Sequence, residues 1–326
     1  LSLLSEPLQI HALQALAERP MSLAELCRVV GSPPQTTMRD RLRNLSELGV
    51  IERRPHNAMP RSLDYALAPP GRDLLVVAGV LEHWLAISPE GRIELGGIGA
   101  KSAIKALVGG WSSAIIRALA ARSLSLTELS QLISSLNYPS LERRLGALRV
   151  TGQVEACPNG TRQTPYMISD WLRLAVAPIA AGMRWERKHL ATETAPPGRI
   201  DVEATFLLSL PLLRLPSDVS GTCRLAVEFR RRTDEQQLAG AVVEVLDGGV
   251  RSCTSRLAGH ADAWASGTPG SWIVALTERQ IDALEIGGAS TLATELLDGL
   301  HSMLFSANGS KAPGRYQGEH SAVAGR

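Results

Sequence analysis

Aromatic side chains make up only 4% of this 326-residue chain, so any core has to be built mainly from leucine, valine, isoleucine and alanine. Lysine is nearly missing: Lys101, Lys105, Lys188 and Lys311 are the whole set. The remaining positive charge is arginine, the bias a GC-rich genome produces. Cysteine is limited to Cys27, Cys157, Cys223 and Cys253, far apart and without a CxxC or Cys/His ligand spacing. That argues against a zinc site and leaves reduced structural thiols, as expected of a cytoplasmic protein. No metal and no cofactor is expected. No uncharged apolar run approaches the roughly 20 residues a membrane helix needs, so no membrane partner is expected. The opening LSLLSEPLQIHALQAL carries Glu6 and His11 without a basic leader, which reads as a helix rather than a signal peptide. It has no initiator methionine, so a missing or processed N-terminus is expected.

Catalytic signatures are also lacking. Ser252, His260 and Asp262 lie close together, but no GxSxG elbow is present, and no catalytic residue is expected. GGIGAK at 96–101 lacks the spacing of a phosphate loop and reads as a linker. Arg230-Arg231-Arg232 is followed by Asp234-Glu235, which reads as a solvated loop or strand end.

What is present is a repeat. Ala15-Leu16-Ala17, Ser22-Leu23 and Glu25-Leu26 recur as Ala118-Leu119-Ala120, Ser125-Leu126 and Glu128-Leu129. Arg41-Leu42, Leu45, Gly49, Glu52 and Pro55 recur as Arg144-Leu145, Leu148, Gly152, Glu155 and Pro158. All the pairs share one shift of 103 residues, without a gap. A gapless match preserves helix phase and turn length, so a duplicated domain is expected. Charge is divided along the chain: 1–86 is neutral, 87–190 carries +6 and 191–310 carries −6. The basic block suits phosphate contact, and the acidic block argues against it.

Each copy reads as a winged helix-turn-helix. In the first, Leu8, Ile10, Leu13, Leu16 and Ala17 mark a helix ending at Pro20. SLAE at 22–25 is a capping box opening a second helix. A third runs from about Gln35 to Leu48 and stops at Gly49. Met38, Leu42 and Leu45 share its inner face. Gln35, Thr36, Thr37, Arg39, Asp40 and Arg43 then lie on or beside the outer face, as in a helix that reads a major groove. Residues 50–54 and 63–67 form the wing strands, with Arg61 at the tip.

The run RLRNLSELGVIERR and the closing DYALAPPGRDL resemble the recognition-helix, wing and closing-turn signature of HxlR- and ArsR-type regulators. The resemblance implies a bacterial transcription factor whose partner is double-stranded DNA. ArsR-type metal ligands are absent, since Cys27 has no partner in sequence. GWSSAIIRALA in the second copy resembles the first helix of HxlR proteins. There Pro139, Arg143 and Gly146 stand where the first copy has Thr36, Asp40 and Arg43. This poorer face is expected to position the protein through Tyr138, Ser140, Arg143, Arg144 and the wing Arg162 rather than to specify sequence. A long helix over Trp171–Leu190 closes the copy.

After a Pro/Gly linker at 194–198 the pattern changes to short apolar runs at 206–210, 225–229, 241–246 and 250–255, followed by helices near 268–276 and 290–305. The stretch from Ala261 to Phe305 resembles the C-terminal half of the sterol-carrier-protein-2-like fold, which implies an apolar cavity. Trp264 and Trp272 are expected at its mouth and Leu296, Leu300 and Leu304 at its floor, binding an apolar small-molecule effector. A dimerisation or purely structural role is the other reading of this domain.

The fold class expected is mainly α with an α+β C-terminal domain. It comprises winged helix-turn-helix domains at 1–88 and 89–193, a sterol-carrier-like domain at 199–308 and a disordered tail at 309–326. The function expected is a ligand-responsive one-component regulator without enzymatic activity. It would act as a monomer with pseudo-twofold DNA heads or as a homodimer. The rivals are a protein-interaction scaffold without specific DNA binding and a lipid carrier.

Overall fold

A computed structural model describes residues 1–56, 62–108, 112–157, 164–190, 199–230 and 236–305. The linker at 194–198 and the tail from 309 lie outside them. The first segment opens with a 3₁₀ turn at Ser2–Ser5, followed by α1 (Pro7–Glu18), β1 (Met21–Ser22), α2 (Leu23–Val29) and α3 (Gln35–Glu47). Strands β2 (Ile51–His56) and β3 (Ser62–Leu67) and helix α4 (Pro69–Ala86) complete it. Helix α5 (Ile98–Val108) leads into a second segment with the same order: α6 (Ser112–Ala121), β4 (Leu124–Ser125), α7 (Leu126–Leu132), α8 (Tyr138–Val150), β5 (Val154–Ala156) and β6 (Pro165–Ile168). It closes with α9 (Asp170–Leu174) and α10 (Val176–His189). The sheets have matching orders, β1-β3-β2 and β4-β6-β5. Met21 pairs with Tyr65 in one and Leu124 with Tyr166 in the other. The two-residue strands β1 and β4 are too short to leave a periodic signal in the sequence.

Local chemistry explains the repetition. Ser22 and Ser125 each accept the backbone N–H three residues on, and Glu25 and Glu128 each accept the serine N–H in return. These two reciprocal capping boxes start α2 and α7 at equivalent points. Gly49 and Gly152 take left-handed φ values of 67° and 72°, which end α3 and α8 and turn the chain into the wing. Gly71 is needed for a different reason. A Cβ there would lie 2.3 Å from the Val50 carbonyl oxygen, so only glycine lets α4 close on the base of the wing.

Three expectations need correction. Residues 96–101 are not simply a linker, because α5 begins at Ile98 and buries Ala100, Ala103, Ile104 and Leu107. The closing helix of the second segment is broken at Ala175. Pro178 cannot donate to the Leu174 carbonyl, and its ring crowds that group, so α9 stops there and α10 starts anew. The apolar run 206–210 is not extended. It belongs to α11 (Arg199–Ser209) and a 3₁₀ turn at Leu210–Leu212. Ala204, Phe206, Leu207, Leu208 and Leu210 are all buried, because α11 lies between α6 on one side and the third segment's sheet on the other. Burial on both sides erases the periodicity that separates helix from strand.

The third segment continues with β7 (Gly221–Arg230), β8 (Gln236–Leu246), β9 (Gly249–Thr254), β10 (Ala263–Gly267), α12 (Pro269–Glu278), β11 (Glu285–Gly288) and α13 (Ser290–Phe305). Its five strands are ordered β11-β10-β7-β8-β9. Strand β10 runs parallel to β7, and the other pairings are antiparallel. The expected hairpin turn after β8 is present, with Asp247 and Gly248 both at positive φ. Among the described residues no single helix is long and apolar enough to cross a membrane.

Residues 1–190 share one continuous hydrophobic core, which Ala204 and Leu208 of α11 also join, and the rest of the third segment has a second. At the centre of the shared core Trp84 of α4 stacks on Trp171 of α9, with centroids 4.3 Å apart and planes 4° from parallel. The two indoles exchange hydrogen bonds: Trp84 Nε1 donates to the Trp171 carbonyl at 2.9 Å, and Trp171 Nε1 donates to the Trp84 carbonyl at 2.7 Å. Both rings are buried, at 2% and 4% exposure. Trp84→Ala should therefore cost about 3–5 kcal/mol, the usual range for truncating a buried aromatic, as read from urea unfolding of the whole chain. A cost below about 1 kcal/mol would show that the stack does not join the halves.

Candidate nucleic-acid interface

Helix α3 is held by its inner face. Met38, Leu42 and Leu45 are completely buried, which fixes the helix rotation and leaves Gln35, Thr36, Arg39, Asp40 and Arg43 exposed, with Thr37 half-buried. These are the residues expected from the sequence, and the structure brings them together along one side of one helix. Arg39 donates to Gln35 at 3.5 Å. Arg43 lies 3.4 Å from Asp40, with 62% and 68% of their side chains exposed. An ion pair so solvated is worth about 0–1 kcal/mol, so Arg43 can exchange it for a base edge at little cost. Asp40 both pre-positions Arg43 and disfavours phosphate at that point of the face.

Arg41, beside them, is turned the other way. It lies 3.5 Å from Glu6, which also holds Lys101 at 3.1 Å and Lys105 at 3.3 Å. The Lys101 hydrogen bond is the main reason the Glu6 carboxyl stays below its ordinary range. Glu6 thus ties the recognition-type helix to α5. Sequence reasoning missed it because its partners are 35 and more residues away, and nothing local marks it.

In the second segment Leu141, Leu145 and Leu148 are buried in the same way. Asn137 caps α8 by accepting the Ser140 backbone N–H at 2.9 Å. Tyr138 and Arg143 are exposed, and Ser140 and Arg144 are half-buried. The Arg149 guanidinium lies over the Tyr166 ring, 5.3 Å from its centroid. On the first wing's stem Arg53 lies over Tyr65, 5.8 Å from the ring centre, and Arg54 donates to Glu52. These exposed stem arginines were legible as a strand but were not singled out. The wing-tip residues Arg61 and Arg162 lie outside the described residues.

The basic excess of 87–190 has internal uses. Arg117 pairs with the buried Glu203 of α11, and Arg173 donates to the Leu207 carbonyl at 2.9 Å. Arg187 lies 3.1 Å from Glu278 of α12. Lys188 and His189 both reach Asp73 of α4, at 2.7 and 2.8 Å, and hold its carboxyl below the usual range, Lys188 most strongly. Part of that positive charge is thus engaged within the protein, Arg117 and Arg187 with acids of the third segment and Lys188 with Asp73 of α4.

In the third segment the five residues expected around a cavity do not surround one space. Trp272 is buried on α12, donates to the Ala226 carbonyl at 2.7 Å and meets Phe206 edge-on at 5.2 Å. Leu296 and Leu300 are fully packed beside it in the core. Trp264 is 38% exposed and covers Gly287 across the strand pair. Strand alternation puts it on the sheet face opposite the buried Ala263 and Ala265. Leu304 is half-buried and packs against the core of residues 1–190. An open groove of about 370 Å³ lies elsewhere, between Leu212–Pro216 and the side of α13 formed by Glu295, Asp298, Gly299, Ser302 and Met303. Among the described residues no group of three or more His, Cys, Asp or Glu is placed to hold a metal. Burial pushes the Cys223 and Cys253 thiols up to about 12, which makes them poor nucleophiles.

A family model described as an HxlR-like helix-turn-helix matches residues 3–90. The match spans the first segment from its opening turn through α4 and supports DNA-binding transcription regulation. No curated protein matches the chain.

The capping box beneath α3 gives a pH test. Hydrogen bonds from the Ser22 N–H and hydroxyl lower the Glu25 pKa from 4.5 to about 2. A depressed folded-state pKa contributes stability that is complete above about 4.5 and is lost as pH falls toward about 2. Glu25→Gln keeps the reach and loses the charge. Its urea midpoint should lie below that of the parent at pH 7, and the gap should close as pH falls through this window. A gap independent of pH would rule out the carboxylate as its source.

Proposed function

We propose that the chain is a cytoplasmic one-component transcriptional regulator that binds duplex DNA through two winged helix-turn-helix units. The observation that carries this is the exposed side of α3. Thr36, Arg39, Asp40 and Arg43 project from a helix whose opposite face is completely buried, within the segment similar to HxlR-like helix-turn-helix domains. In this reading α3 enters the major groove and Arg43 meets a guanine edge. Helix α8, with Tyr138, Ser140, Arg143 and Arg144, holds the backbone. The third domain responds to an apolar small molecule, on the strength of its sterol-carrier-like sequence pattern, and the protein is not an enzyme.

Replacing Arg43 and Thr36 together by alanine should cost about 1–3 kcal/mol of operator affinity for each bidentate base pairing removed and relax specificity at that position. Unchanged affinity in a titration against the selected duplex would favour the scaffold reading. Removing Arg61 or Arg162 should weaken binding to every sequence alike. It should also reduce the slope of log affinity against log salt by about 0.9 for each phosphate no longer neutralised. A change in sequence preference with the slope intact would instead place these wings on base edges.

A further inference from the structure

One buried hydrogen bond between the two halves recurs with the roles exchanged. Beyond the wings, the two-residue shorter second wing carries the correspondence from Tyr65 to Tyr166, from Pro70 to Trp171 and from Trp84 to Trp185. Trp84 Nε1 donates to the carbonyl of residue 171, and Trp185 Nε1 donates to the carbonyl of residue 70, at 2.9 and 2.8 Å. Each hydrogen bond is the image of the other under that exchange. Helices α4 and α10 pack on each other, and the same correspondence carries α4 onto α9 together with most of α10. They run antiparallel, since the start of α4 meets the end of α10 through Asp73, Lys188 and His189. The opening turn Ser2–Ser5 packs against α5, and the shift of 103 carries that turn onto the last turn of α5. An interface in which residue i meets j and j meets i is the signature of a twofold dimer.

We propose, resting on the DNA-binding reading above, that this protein is a dimer fused into one chain. A single copy then recognises a non-palindromic duplex, α3 reading bases in one half-site and α8 gripping phosphates in the other. The surface that would recruit a second copy is already covered from within. The departures from symmetry fall where a fused dimer is free to place them. Thr36, Asp40 and Arg43 are matched by Pro139, Arg143 and Gly146. Arg72 is exposed in the first half, whereas its equivalent Arg173 is buried against α11. The third domain therefore grips the second half at a position the first half leaves open.

The test selects duplexes from a random library with the full chain, then determines the mass of the complex and its footprint. One chain per duplex is expected, protecting two unlike half-sites whose centres lie about 34–36 Å apart. Arg43→Ala should lower preference in one half-site by roughly 5- to 150-fold. Arg143→Ala with Arg144→Ala should weaken all duplexes alike and cut the salt slope by about two units. Two chains on a palindrome, each using only its α3, would overturn this proposal while leaving DNA binding intact. A change of base preference in the Arg143/Arg144 variant would overturn the division of labour. No duplex binding at any salt would overturn the DNA-binding reading and this proposal together.

Discussion

The seam between the two halves depends on one buried contact, the flat stack of Trp84 on Trp171 with its crossed hydrogen bonds. A seam made only of alanine and leucine would tolerate sliding, because apolar contact is not directional. A buried indole N–H must find an acceptor, and here both N–H groups are satisfied only in one register of α4 against α9. The chain has six tryptophans, and three of them, Trp84, Trp171 and Trp185, lie at this seam. From it the constraint passes outward. Helix α4 closes on the wing base through Gly71 and the Val50 carbonyl, and Val50 follows directly on α3 and its closing turn. The orientation of α3 is thus tied to the tryptophan pair.

The repeated segment was legible because its signals are local. Two capping boxes, two left-handed glycines and two leucine-lined helices each depend on residues within a few positions of one another. The exposed residues of α3 followed from helix phase alone. What the sequence did not reveal depends on distant partners. Helix α11 is apolar on both sides because two layers enclose it, so its run at 206–210 lost the helical signature. The break at Ala175 was signalled by Pro178 but was masked by the apolar pattern around it. Trp264 and Trp272 stand eight positions apart in sequence yet belong to different sides of a sheet, a division that strand pairing decides and spacing does not.

Charge was the least transparent signal. A basic block followed by an acidic one suggested that the first meets phosphate. In the folded chain Arg117, Arg173 and Arg187 hold the third domain, while Lys101 and Lys105 hold Glu6. Two of these, Arg117 with Glu203 and Arg187 with Glu278, join the basic block directly to the acidic one. The same interactions give any change in the third domain a short path to the α9–α10 layer, since Arg173 lies two residues beyond Trp171.

The shared core of residues 1–190 has a consequence for how this protein can vary. In a symmetric pair of identical chains every substitution is imposed twice, so a change that suits one copy is also suffered by the other. Here the two halves are separate stretches of one gene product, folded on a common centre. A new side chain on α3 is tried once, with α8 left as it was. Thr36 against Pro139, Asp40 against Arg143 and Gln14 against Arg117 are differences of a kind that a chain forced to match itself could not accumulate.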